Sequence, residues 1–265
     1  MVKIWWNLFK KELAVGSRMS MPIWASVLLF LCMGGASLFL ASFFKSGLVS
    51  QVWLLVIYFH FIAPSVYMMM SLYKERERWP LWLQLPLRGW QLLAAKLAAA
   101  SVELIMGLVV SVCMFLWVFE LEDSNNFWEF GTGEGASTIK AETTTQAQYF
   151  YDLLRGEGIW SALGFIFIAI GIAVVLVLLY MIAKSLTNRF GRWRWPVAIV
   201  LFGAISLLEY IFEQTKEYSF LFRWGHLSGL ESEPIYIGEG LWIFLIMIVS
   251  LYAAGWLLDR KVEVN

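Results

Sequence analysis

A series of long apolar runs, separated by short charged ones, constrains this chain more than any other feature. Crossing the hydrocarbon core of a bilayer takes about 20 consecutive, mostly apolar residues in a helix. Six runs suit that role, at about residues 22–44, 48–72, 92–119, 158–183, 195–212 and 239–258. Composition agrees, with 60% of the 265 residues hydrophobic and 15% charged, against about 45–50% and about 25% in soluble domains. Backbone groups in lipid have no water to satisfy them, so runs of this kind fold as helices. The expected fold is an all-α integral membrane protein, one transmembrane domain over residues 1–265 with six transmembrane helices. The third run is longer than a bilayer needs and should tilt or project. The fifth begins at Pro196, which suits the first turn of a helix.

Residues 1–20 read as an amphipathic interfacial helix. Lys3, Asn7, Lys10, Ala14 and Arg18 recur on one face, while Ile4, Trp5, Leu8, Phe9 and Leu13 fill the remainder, with Glu12 the exception. Such a helix lies flat among lipid headgroups, and Pro22 provides the corner before the first span. Charges at Lys10, Lys11 and Arg18 ahead of any long apolar run do not read as a cleavable signal. Lysine and arginine collect on the cytoplasmic side of membrane proteins. Fifteen of the twenty here fall on the side of the N-terminus, which predicts that both termini are cytoplasmic.

The connections on the other side are acidic. Residues 120–157 form the one long hydrophilic stretch, and its middle, GTGEGASTIKAETTTQAQ, reads as a mobile extracellular loop. Its aromatic flanks, including Phe127, Trp128, Phe150 and Tyr151, are expected at the membrane–water boundary. Residues 213–238 mix charge with Tyr218, Phe220, Leu221, Phe222 and Trp224. That pattern suggests a short helix on the outer leaflet, or one packed against the long loop.

Enzymatic constellations are missing from the sequence. It contains no G-x-x-x-x-G-K-[ST], no G-x-S-x-G and no H-E-x-x-H. Two histidines cannot supply the three or four convergent ligands of a metal site. Cys32 and Cys113 lie inside apolar runs and read as small buried hydrophobes. No catalytic, cofactor-binding or metal-ligating residue is therefore assigned, and no nucleic-acid partner is expected. Two polar residues inside spans form a candidate intramembrane site. Glu103 lies about two turns into the third span, and an ionisable group there is a functional candidate by default; it reaches water near the cytoplasmic end or pairs with Lys96 or Arg88 in the structural alternative. His60 precedes Pro64 by four residues, and a packing role with a hydrogen bond is the plain reading. Met68, Met69 and Met70 read as filling between helices.

Residues 73–91 carry the most specific signal. The charged run Lys74-Glu75-Arg76-Glu77-Arg78 is followed by a short apolar island from Pro80 to Leu85, closed by Pro86. The island is too short to cross a bilayer. Leu81, Trp82, Leu83 and Leu85 nonetheless each gain roughly 1.5–3 kcal/mol on burial, so the island docks on lipid or on another protein. The flat N-terminal helix, the six spans, the run at Glu75–Arg78, the apolar LWLQLPL from Leu81 to Leu87, and Arg88 with Lys96 opening span three together resemble the membrane subunit of a bacterial ABC-2 type transporter permease. Trp79-Pro80 departs from the glycine and small polar residue usual there, although proline suits the first position of a short helix. The long 120–157 loop is a second departure.

The resemblance implies that residues 73–91 hold a cytoplasmic coupling helix seated in a groove of a separate ATPase subunit. Leu81, Trp82, Leu83 and Leu85 would then supply the apolar contact, Glu75, Glu77 and Arg88 the charge at its rim, and Pro86 the break before span three. It further implies a bacterial plasma membrane, a second permease chain (homo- or heterodimer), and ATP and magnesium on the partner ATPase rather than on this chain. The expected function is an ATP-driven exporter permease for an amphiphilic cargo, a drug, antimicrobial peptide or lipid-like molecule, in resistance or self-immunity. Acidic outer loops favour a cationic cargo. A non-transporting membrane sensor or scaffold, whose island binds lipid or a signalling partner, is the competing expectation. An intramembrane hydrolase ranks third.

Overall fold

The computed structural model describes residues 2–20, 23–44, 48–75, 87–123, 134–186, 190–227 and 235–260. Those residues are almost entirely helical. Helices α1 (Val2–Ser20), α2 (Ile23–Phe44), α3 (Leu48–Phe59) and α4 (Ala63–Lys74) are followed by α5 (Gly89–Asp123) and α6 (Glu134–Ser185). A 3-10 turn at Gly191–Trp193 leads into α7 (Arg194–Glu213), then α8 (Lys216–Phe222) and α9 (Ile237–Arg260). Two short strands, β1 (His226–Leu227) and β2 (Ile235–Tyr236), pair antiparallel between α8 and α9.

Four helical stretches, Gly89–Glu122, Ala162–Ser185, Gly191–Glu213 and Ile237–Arg260, are long and apolar enough to cross a membrane, and the pair α3–α4 passes the same test as one bent span. The chain thus has the build of a multi-pass membrane protein. The expected second span is broken: α3 and α4 meet at 47° across His60–Ile62. Pro64 explains the break, since it has no N–H to continue the helical ladder and its ring crowds the preceding turn.

The connection expected as a mobile loop is different. From Glu134 onward it is helical, continuous with the fourth apolar run in one 52-residue helix. Alanine, glutamate, glutamine, lysine and leucine are frequent along it, and these favour helix more than its threonines and glycines oppose it. Residues 124–133 lie outside the described residues.

Contacts divide the chain into two compact units. One comprises Met1–Phe9, Ser65–Ala98 and Ile170–Asn265; the other comprises Lys10–Pro64 and Ala99–Ala169. The second unit is built on an apolar stripe of α5, where Leu104, Leu108, Phe115 and Phe119 recur at helical spacing and are buried. Trp53, Leu54 and Ile57 of α3 pack on this stripe, and Phe150, Tyr151 and Phe165 of α6 join them. Phe115 meets Phe150 edge-on at 5.4 Å, and Phe119 stacks on Tyr151 at 4.7 Å. Phe150 and Tyr151, half-buried, thus pack on the core of this unit. At the end of the same stripe the buried Glu122 carboxylate accepts the Ser50 N–H at 3.3 Å, near the start of α3. Glu12, the acidic exception in α1, is fully buried in this unit. Cys32 and Cys113 are exposed on helix surfaces instead of buried; a thiol behaves as a small apolar group and sits in lipid at little cost.

In the first unit α8 is the short helix expected between the last two spans. The Thr215 hydroxyl caps it by accepting the Tyr218 N–H at 3.2 Å. Tyr218 and Phe222 pack with Phe212 of α7 and Trp242 of α9, the closest rings being Phe222 and Trp242 at 4.6 Å. Burial, with the Glu239 and Glu213 carboxylates adding to it, pushes the Tyr218 phenol above its ordinary pKa. Gly225, at φ +72°, turns the chain from α8 into β1 in a conformation that favours glycine. Of the methionine triplet, Met68 is fully buried in this unit, whereas Met70 is exposed.

Candidate functional site

The first turns of α5 follow directly on the segment that carries the apolar island in sequence, and they are tied to three other helices by polar contacts. The first tie runs to the end of α4. Lys96 is 1% exposed, and its Nζ donates to Glu75 Oε2 at 2.5 Å and to Ser71 Oγ at 2.6 Å. Ser71 and Glu75 lie one turn apart, continuing the buried face of Met68 and Leu72. A lysine this deep is tolerated because a carboxylate and a hydroxyl meet its donors. Desolvating both charges offsets most of their attraction, so such a pair adds little net stability, while losing one partner costs about 3–5 kcal/mol. What the pair provides is a fixed register between the end of α4 and the second turn of α5.

The second tie runs to α9. Gly89 opens α5, and its N–H donates to both oxygens of Asp259, at 2.9 and 3.0 Å. The carboxylate stands where an N-capping side chain would, at the positive end of the helix dipole. The two backbones are in close contact here. A Cβ on Gly255 would come within 2.2 Å of the Trp90 nitrogen, and one on Gly89 within 2.6 Å of the Gly255 carbonyl oxygen. Only glycine fits at either position. A local cap completes the turn, with Gln91 Oε1 accepting the Arg88 N–H at 3.0 Å. This is the reach-back half of a capping box, with Gln at the third helical position.

The third tie runs to α1. The Trp5 indole N–H donates to the Gln91 carbonyl at 3.1 Å. Trp5 also stacks on Phe9 at 5.9 Å. Around these contacts Leu87, Leu92, Leu93 and Ala95 are buried. The arrangement can hold the beginning of a helix against displacement, and it can pass displacement on. It has no nucleophile or general base aimed at open space, and no group of three His, Cys, Asp or Glu placed to hold a metal ion occurs among the described residues.

The structure treats the sequence-predicted residues unequally. Glu75 is buried and held by Lys96, and the Arg88 side chain is exposed while its N–H is capped. Glu77, Leu81, Trp82, Leu83, Leu85 and Pro86 lie outside the described residues. Lys96, weighed in the sequence as a partner for Glu103, is engaged by Glu75 instead. Glu103 is exposed on α5, and His60 sits at the break between α3 and α4. Sequence reasoning missed Asp259, Gly255, Ser71 and the role of Trp5. For Asp259 the signal was faint: one acid ahead of Arg260 and Lys261 reads as an ordinary solvated charge.

No protein-family model matches the chain, and no solved structure matches it. It is similar to an uncharacterized protein, YhcE, of Bacillus subtilis (strain 168), at 28% identity over 273 residues, covering 97% of this chain and 98% of that protein.

Proposed function

We propose that this chain is the permease subunit of an ATP-driven exporter of the ABC-2 type, driven by separate ATPase subunits that dock on the apolar island from Pro80 to Leu85. The observation that carries the reading is the set of ties on either side of that segment. Glu75 before it and Gly89 after it are each fixed by polar contacts to another helix. A partner pressing on the apolar island would therefore move α4, α5 and α9 as packed bodies rather than locally melting a loop. A segment that only rested on lipid would not call for a buried lysine and a cross-helix cap at its two ends.

In this reading α2 supplies a sixth span, beside the bent pair α3–α4, the apolar part of α6, and α5, α7 and α9. Both termini lie in the cytoplasm of a bacterial plasma membrane, on the lysine- and arginine-rich side. Two permease chains, identical or related, face each other above the ATPases, which hold ATP and magnesium. The cargo is amphiphilic.

Purification of the tagged chain from its native host, followed by identification of bound proteins and measurement of ATP turnover, tests this. An ATP-binding-cassette protein should co-purify, and Leu83→Asp or Leu85→Asp should abolish both its capture and the turnover. Loss of neither would remove the ATPase-docking role. Capture of a protein without ATPase activity would favour the sensor or scaffold reading.

A further inference from the structure

The break in the second span has a chemical consequence beyond its shape. The turn is held by bonds of the tighter i→i−3 kind: His60 N–H to the Ile57 carbonyl at 3.0 Å, Phe61 to Tyr58 at 3.1 Å and Ile62 to Phe59 at 3.1 Å. The Val56 carbonyl thereby loses the backbone donor it would have in a regular helix. The His60 ring takes that place, with Nδ1 2.7 Å from the Val56 oxygen. A carbonyl can only accept, so Nδ1 is the donor to Val56, and in the tautomer with a single ring proton Nε2 is an acceptor. Pro64, four residues on, has no N–H for the His60 carbonyl.

The Nε2 edge lies against α5. A Cβ on Gly107 would meet Nε2 at 2.6 Å, so the ring occupies the space that a side chain at 107 would fill. Glu103 precedes Gly107 by one turn on the same face, and Cβ atoms so related are about 5–6 Å apart. The Glu103 carboxylate is thus within a side chain's reach of the imidazole. Yet Glu103 is exposed on an apolar helix, among the exposed Met106 and Val110. It makes no hydrogen bond or ion pair among the described residues. Lipid cannot solvate a carboxylate, and non-helical backbone at membrane depth is found where it is buried in protein or lines a cavity. Sites of this construction, a discontinuous helix with freed carbonyls beside an acidic side chain, are where transporters hold cations.

We infer that Glu103, His60 and the broken backbone at His60–Ile62 form an intramembrane site for a cationic amphiphile, a primary ammonium on an apolar tail. An ammonium has three donors and no acceptor. The site offers three acceptor groups: the Glu103 carboxylate, His60 Nε2 and the His60 carbonyl. The carboxylate balances the charge, and the exposed Met106 and Val110 provide an apolar track for the tail. The site does not depend on an ATPase partner, so its test is independent of the coupling segment.

The full chain in zwitterionic nanodiscs is titrated with dodecylammonium, with dodecanol as the uncharged control and empty discs to subtract partitioning. Saturable binding of the ammonium alone is expected. Glu103→Gln should weaken it at least tenfold, His60→Phe several-fold, and Gly107→Ala, whose methyl displaces the ring, by a similar factor. Glu103 is exposed, so its variant should fold normally and elute as wild type. Non-saturable uptake, equal binding of dodecanol, or undiminished binding by Glu103→Gln would each overturn the site. So would a Glu103→Gln effect confined to oligomeric state, which would make the carboxylate a contact between chains.

Discussion

Two places in this molecule put a charged side chain into an apolar setting, and they resolve it in opposite ways. At the start of α5 the buried charge and the helix end are answered within the chain: Lys96 by Glu75 and Ser71, and the open end of the helix by Asp259. Farther along the same helix, Glu103 is answered by nothing among the described residues and faces outward. In a low-dielectric medium an answered charge fixes geometry, because any departure uncovers it. An unanswered one selects what comes next to it. The first region has the character of a joint, the second that of a receptor.

Breaking the joint should give the largest effect. Lys96→Met leaves the Glu75 carboxylate buried without its cation and should lower unfolding free energy by about 3–5 kcal/mol. The double change Lys96→Met with Glu75→Leu should recover most of that loss, as read by denaturant melts in detergent. A single variant as stable as the double would show that water reaches the pair, and the contrast with Glu103 would collapse. Next in size, Gly255→Leu forces a side chain into the Trp90 backbone and should cost about 1–3 kcal/mol in the same assay. Asp259→Asn keeps an acceptor for the Gly89 N–H but removes the charge from the helix terminus. About 1 kcal/mol should be lost, less at high salt. Glu103→Gln should not destabilise the fold, because the carboxylate has no partner to lose among the described residues, while weakening ammonium binding at least tenfold. A large destabilisation there would make Glu103 a structural residue and erase the distinction.

Much of the fold can be read from composition because a bilayer leaves a chain so few options. The helices α5, α7 and α9 fall where apolar length demands, within a few residues of the expected bounds. The break at His60–Ile62 was not placed, although Pro64 was in view, because proline is tolerated in membrane helices and its effect depends on neighbours. Residues 134–157 were misread because glycine and threonine were weighed above the helix-forming residues around them. At the candidate site Glu75 and Lys96 were legible as charges at a membrane edge, but not as partners. Pairing them requires the end of α4 to lie against the second turn of α5. The Asp259 contact joins residues 170 positions apart, and no local pattern encodes such a distance.

That separation also dictates an order of events. Gly89 emerges from the ribosome long before Asp259, so the opening turn of α5 spends most of synthesis without its acceptor and with its glycine surface uncovered. The turn acquires its cap only once the closing helix has entered the bilayer. A chain arrested or clipped before α9 would carry an unfinished first turn of α5, so the capped turn itself reports that translation has run at least as far as Asp259.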